Sequence, residues 1–176
     1  MGARGRPLLA LALVLAASST LSSAGCARTL YNFGEVEPGK LLRSAQPSPL
    51  FLRWVSARHG VRTLINLRGR TPGFESRFAA ENGIRLFSFD LSASHPPTQA
   101  DVDRFLAILD DPTSYPILVH CRQGVDRTGY MLALYRLARD GWPADRALAE
   151  MRAFRQLELL NPVPAAVVRE DARASD

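Results

Sequence analysis

The stretch that most limits the fold runs from Ile117 to Gly141. Ile117 to His120 (ILVH) is a short apolar run. Runs of this kind are buried on both faces, which predicts a central strand. Cys121 to Arg127 follows as a loop containing Gly124, and Thr128 to Asp140 has the length of a helix stopped by Gly141. A buried strand that passes through a tight loop into a helix is a building unit of α/β layer folds.

The rest of the chain repeats that alternation. Leu41 and Leu42 begin a short strand ending at Arg43-Ser44, and Leu50 to Arg58 suits a helix stopped by Gly60. Val61 to Leu67 (VRTLINL) is a β-branched run typical of a buried strand. Phe74 to Asn82 reads as a helix and Ile84 to Phe89 as a strand; Asp90 to Pro97 is a loop. Thr98 is the expected N-cap of a helix whose apolar face is Val102, Phe105, Leu106 and Leu109. Pro143 fits the first turn of a last helix through Phe154. The expectation is an α/β fold with a central, mostly parallel sheet flanked by helices. Residues 27–39 read as an irregular lead-in. Apolar residues at 47% and charged residues at 22% exclude a disordered chain. The net charge of +5 is scattered without runs of one sign, so no nucleic-acid surface is expected.

The N-terminus carries a different signal. Arg4 and Arg6 precede an apolar run from Leu8 to Ala17, and small or polar residues follow to Gly25. This is the pattern of a secretory signal peptide, and the run is shorter than the roughly 20 residues that cross a bilayer. Ala24-Gly25-Cys26 resembles the end of a bacterial lipobox, in which the cysteine receives a lipid; Ser23 stands where that motif usually has leucine. Lipidation at Cys26, soluble export and an uncleaved anchor all stay open. The expected location is the periplasm or cell envelope. The expected division is a signal peptide over 1–25, a lead-in over 26–40, a main domain over 41–160 and a tail over 161–176.

The chemistry sits at His120-Cys-Arg-Gln-Gly-Val-Asp-Arg-Thr-Gly129. A cysteine directly after a buried strand and before a helix lies at the helix N-terminus, where backbone N–H groups converge into an anion nest. Gly124 lets the backbone curl without a Cβ clash. The helix dipole and Arg127 both favour thiolate over thiol. Arg127 can also clamp two oxygens of a tetrahedral anion. The loop from Cys121 through Arg122, Gln123, Gly124, Val125 and Asp126 to Arg127 is therefore expected to bind a dianion above a sulfur nucleophile. That arrangement suits attack on phosphorus through a thiophosphoryl-enzyme intermediate.

HCRQGVDRTG resembles the signature loop of cysteine-dependent protein tyrosine and dual-specificity phosphatases. Asn32-Phe33, Leu42-Arg43-Ser44-Ala45-Gln46-Pro47 and Leu64-Ile65-Asn66-Leu67-Arg68 extend the likeness to the atypical dual-specificity group. That group includes exported bacterial members and inositol-pyrophosphate phosphatases of fungi and plants. The resemblance implies a phosphatase domain with its loop at the sheet's carboxyl edge and no metal or organic cofactor. It makes Cys121 the nucleophile and Arg127 the phosphate clamp. Thr128 would hydrogen-bond the sulfur, and His120 would orient the loop through backbone hydrogen bonds.

A departing alkoxide or phenoxide needs a proton donor. The resemblance places an aspartate on an upstream loop, which Asp90 matches, with His95 as an outside candidate. Asp126 is the rival, similar to an aspartate beside the loop arginine in myotubularin-type lipid phosphatases. Asp126 is favoured because its place does not depend on loop length. Arg43 and Arg68 read as ion-paired side chains before substrate contacts, and Trp54 and Trp142 as packing residues.

The expected function is hydrolysis of phosphomonoesters of phosphoproteins by an exported monomer. Alternatives are a phosphoinositide or inositol (pyro)phosphate phosphatase and a non-catalytic phosphate-binding lipoprotein. A sulfurtransferase or arsenate-reductase-like enzyme would also use a cysteine anion loop; Thr128 and the aspartates argue against it.

Overall fold

The computed structural model describes residues 31–92 and 94–154. The segments expected to be a signal peptide and a C-terminal tail, and Cys26 with them, lie outside the described residues. The elements are β1 (Gly34–Glu37), β2 (Leu41–Ser44), α1 (Pro49–His59), β3 (Thr63–Asn66), α2 (Gly73–Glu81), β4 (Arg85–Ser88), α3 (Gln99–Asp110), β5 (Ile117–His120), α4 (Asp126–Ala138) and α5 (Ala144–Ala153). The five strands form one sheet in the order β1-β2-β5-β3-β4. Only β1 runs antiparallel to its neighbour.

Side chains along the strands alternate between two cores, as a pleated backbone requires. Leu41, Ile65, Ile117 and Val119 pack on one face with Phe105 and Leu109 of α3, Met131 of α4 and Leu148 of α5. Leu42, Leu64 and Leu118 pack on the other with Phe51, Leu52 and Val55 of α1 and Ala79 of α2. Every residue of β2, β3 and β5 is buried. The short apolar runs of the sequence are thus the inner strands of a three-layer sandwich.

This topology opens a crevice where the site lies. The chain leaves β5 toward the face that carries α4, whereas it leaves the flanking β2 and β3 toward the face that carries α1 and α2. Connections that diverge in this way leave a cleft at the carboxyl ends of the strands.

Helix starts follow local chemistry. Ser48 caps α1 by accepting from the Phe51 N–H. Thr98 caps α3 in a reciprocal capping box with Asp101.

Three expectations need correction. The stretch 27–39 is not irregular throughout, because Gly34–Glu37 forms edge strand β1 against β2. Its sequence, GEVE, is too polar and short to announce a strand. Distant partners help hold it: Arg136 Nη2 donates to Val36 O at 2.6 Å, and Tyr135 Oη donates to Glu37 Oε1 at 2.6 Å. Next, α4 starts at Asp126 and not at Thr128. Asp126 and Arg127 therefore belong to its first turn, where an acidic residue suits the positive end of the helix dipole. Finally, Pro143 precedes α5 as its extended N-cap residue and does not lie within the first turn. Trp54 and Trp142 pack as expected: Trp54 stacks with Phe51, and the Trp142 ring contacts the guanidinium groups of Arg136 and Arg146.

Leu118 is fully buried at the centre of the sheet. Leu118→Ala is expected to lower unfolding free energy by about 2–5 kcal/mol, measured by urea denaturation.

Candidate active site

Cys121 follows β5 directly and is 2% exposed. The turn over residues 121–125 carries it to the N-terminus of α4. The Gly124 N–H donates to Cys121 Sγ at 3.2 Å. Gly124 has φ +68°, the left-handed region that glycine enters without strain. A Cβ there would meet the backbone of Ser44 and Ala45 at 2.6 Å. The sequence requirement for glycine thus has two causes at once: the sign of φ and a backbone crossing that leaves no space.

Arg127 is half-buried, and its Nη1 donates to Leu91 O at 3.3 Å. The guanidinium therefore lies between the Cys121 turn and the loop that begins at Asp90. Asp126 is half-buried at the first position of α4. Arg122 and Gln123 are exposed on the turn.

His120 is fully buried, as is Glu75. His120 Nε2 lies 3.0 Å from Glu75 Oε1. Gln46 Nε2 donates to Glu75 Oε2 at 2.7 Å, and Arg68 Nη1 donates to Gln46 Oε1 at 2.8 Å. This chain of polar contacts runs from the base of the turn to the cleft rim. His120 thus does not orient the loop as expected: its ring faces Glu75, and its Nδ1 has no hydrogen-bond partner among the described residues. The loop carbonyls are held instead by Arg43 and Asn32.

Thr128 also departs from expectation. Its Oγ1 is buried and has no hydrogen-bond partner among the described residues, so the group bonded to the sulfur is the Gly124 amide. Arg43 makes no ion pair among the described residues either. It is buried and donates through Nη2 to Gly124 O at 2.7 Å. Arg68 is likewise hydrogen-bonded to an amide and makes no ion pair among the described residues.

The two acid candidates lie in different places. Strand registers align Ser44, His120, Asn66 and Ser88 across the sheet. Two residues further on stand Gln46, Arg122, Arg68 and Asp90. Asp90 therefore follows a strand two places from β5, a lateral offset of about 10 Å at the usual spacing. It is exposed, its carboxyl lies against Gly69, and its backbone bridges to Arg68. Asp126 sits beside Arg127 on the element that caps the nest. His95 is exposed, with Nδ1 3.1 Å from Ser92 Oγ. Among the described residues no group of His, Cys, Asp and Glu side chains is arranged to hold a metal ion.

Sequence reasoning missed Asn32, Glu75 and Gln46. Asn32 and Gln46 lie in segments that share the family resemblance, but nothing local in the sequence ties them to Cys121.

The family described as DSP-PTPase phosphatase fused to NAD+ kinase matches residues 31–161. This chain belongs to that phosphatase family. Inositol diphosphatase DSP3 of Arabidopsis thaliana is 32% identical over 110 residues, covering 60% of this chain and 53% of the relative. Protein tyrosine phosphatase PRL-1 of Leishmania major is 30% identical over 128 residues, covering 66% of this chain and 71% of the relative. The chain spans about half the length of the plant inositol diphosphatases it matches. Among solved structures, the core catalytic domain of PP-IP phosphatase SIW14 from S. cerevisiae aligns with a TM-score of 0.67 at 21% identity, covering 82% of this chain and 92% of that one. TpbA of P. aeruginosa aligns with a TM-score of 0.61 at 21% identity, covering 82% and 90%. These two likenesses show a shared fold.

Gly124→Ala places a Cβ inside the Ser44–Ala45 backbone and forces a disfavoured φ. It is expected to cut phosphatase turnover by about 100-fold or more, the scale of losing nest donors, in steady-state assays of the folded variant.

Proposed function

We propose that this chain hydrolyses phosphomonoesters by two-step transfer through Cys121. The observation that carries the reading is the Cys121 sulfur held within a glycine-turned nest, with the Gly124 N–H bonded to it and Arg127 donating to Leu91 O. In the first step Cys121 Sγ attacks phosphorus, the P–S bond forms and the P–O bond to the leaving group breaks. Asp126 gives its proton to the departing oxygen. In the second step water attacks phosphorus, the P–S bond breaks, and the Asp126 carboxylate takes the proton from water. Amide N–H groups and Arg127 stabilise the three non-bridging oxygens as charge shifts between the apical groups. The proposed substrates are phosphoproteins.

A second substrate reading, inositol polyphosphates or pyrophosphates, has its own support. Arg122 and Arg68 follow the aligned residues His120 and Asn66 at the carboxyl edge, on either side of the cleft. They add positive charge where a multiply phosphorylated ring would extend. The likeness to plant inositol diphosphatases agrees with it. We also propose export to the periplasm or cell envelope, supported by the N-terminal sequence pattern alone.

A panel of phosphopeptides, phosphoinositides and inositol phosphates tests the substrate, with vanadate inhibition and indifference to chelators expected throughout. A chain that binds vanadate without turning over any of them would instead be a phosphate-binding protein. The acid is tested on aryl phosphates of graded leaving-group ability. Asp126→Asn is expected to slow the poorest leaving group by about 100-fold or more, the usual worth of general acid catalysis, while sparing the best. Asp90→Asn should leave this dependence unchanged. The reverse pattern would transfer the role to Asp90, whose neighbour Leu91 touches Arg127.

A further inference from the structure

The turn that bears Cys121 is gripped from behind by side chains of two distant segments. Asn32 Nδ2 lies 3.2 Å from Gln123 O, 3.3 Å from Gly124 O and 2.8 Å from Phe154 O. Arg43 Nη2 donates to Gly124 O at 2.7 Å. A trans peptide is planar, so its C=O and the following N–H point in opposite directions. Holding Gln123 O therefore aims the Gly124 N–H the other way, and that N–H is the one bonded to Cys121 Sγ. Holding Gly124 O aims the Val125 N–H toward the same side. Two consecutive donors of the nest are thus set by contacts to the reverse edges of their own peptides.

Both side chains bear a cost that packing alone does not explain. Asn32 is buried and holds φ +47°, a sparsely populated region for a side-chain-bearing residue. Arg43 is 1% exposed, makes no salt bridge among the described residues, and its Nε lacks an acceptor. Burial pulls its guanidinium down to about 10, against the opposing pull of Glu150 and Cys121, so it remains cationic at neutral pH. The Phe154 ring covers that guanidinium at 3.8 Å and lies against Gly34. The start of β1, the end of α5 and the turn are joined through these contacts.

We propose that Asn32 and Arg43 are positioning residues for phosphoryl transfer: by fixing the Gln123 and Gly124 carbonyls they preset the amide donors for a tetrahedral oxyanion. Donors held in this way need no reorganisation as charge develops. The inference rests on the phosphatase reading above.

The test uses Asn32→Asp, which keeps the shape but turns a carboxylate oxygen toward three carbonyls, and Arg43→Met, which removes the donor and the charge. Arg43→Lys serves as the conservative rescue. Each variant is measured for kcat and KM on an aryl phosphate, tungstate affinity by calorimetry, thermal unfolding, and the Gly124 amide proton resonance. The expected result is a fall in kcat approaching about 100-fold, the scale for lost oxyanion donors, with weaker tungstate binding and a shifted Gly124 resonance. Arg43→Lys should recover part of each. A merely structural role would lower the unfolding temperature and leave the resonance and tungstate affinity of the folded protein unchanged, which would overturn the inference. If Arg43→Met does not fold, Asn32→Asp decides by the same readouts. Active wild type with variants that match it would sink this inference alone; wild type that neither binds tungstate nor turns over would sink the phosphatase reading with it.

Discussion

The Gly124 peptide crosses the Ser44–Ala45 backbone at a separation that no side chain could share. That approach lets the turn after β5 close within a few residues and begin α4 at Asp126. It also brings the Gly124 N–H to the Cys121 sulfur. The geometry exists because β2 and β5 are adjacent and parallel, so that the chain leaving one runs over the chain leaving the other. Sheet topology and site chemistry therefore meet at a single backbone contact.

Beneath the turn lies an unusual amount of buried polarity. His120 and Glu75 are both fully buried, and Gln46 links them to Arg68 at the rim. Buried pairs of this kind seldom add net stability over a hydrophobic replacement, yet removing one partner is costly because the other is left stranded. What the network supplies is a fixed orientation. It ties β5, α2 and the segments after β2 and β3 into one frame, so the strand end that presents Cys121 has little freedom to tilt.

The parts legible in the sequence were those set by local pattern. ILVH announced a central strand because four consecutive buried positions demand it. Thr98 marks a helix start because a capping residue stands directly before apolar positions at helical spacing, and the structure adds the reciprocal bond with Asp101. Cys121, Gly124 and Arg127 stood out because a short turn between strand and helix requires them close together. The unread parts depend on contacts far apart in sequence. Glu75 is 45 residues from His120, and Arg43 and Asn32 are 81 and 92 residues from Gly124. No periodicity or spacing rule joins such pairs; the packing of the sheet with its edge strand and flanking helix does. β1 was missed for a related reason, since its pairing with β2 and its contacts to α4 outweigh the low strand propensity of GEVE.

The central step is formation of a bond between the Cys121 sulfur and phosphorus, and the most direct measurement is to look for that bond. Wild-type protein is mixed with an excess of aryl phosphate, quenched in acid within the first turnover and analysed by peptide mass spectrometry. The account predicts a phosphate adduct on the peptide containing Cys121, absent from Cys121→Ser, with turnover by Cys121→Ser abolished. Turnover that persists in Cys121→Ser, or wild-type turnover with phosphate found on another residue, would contradict it.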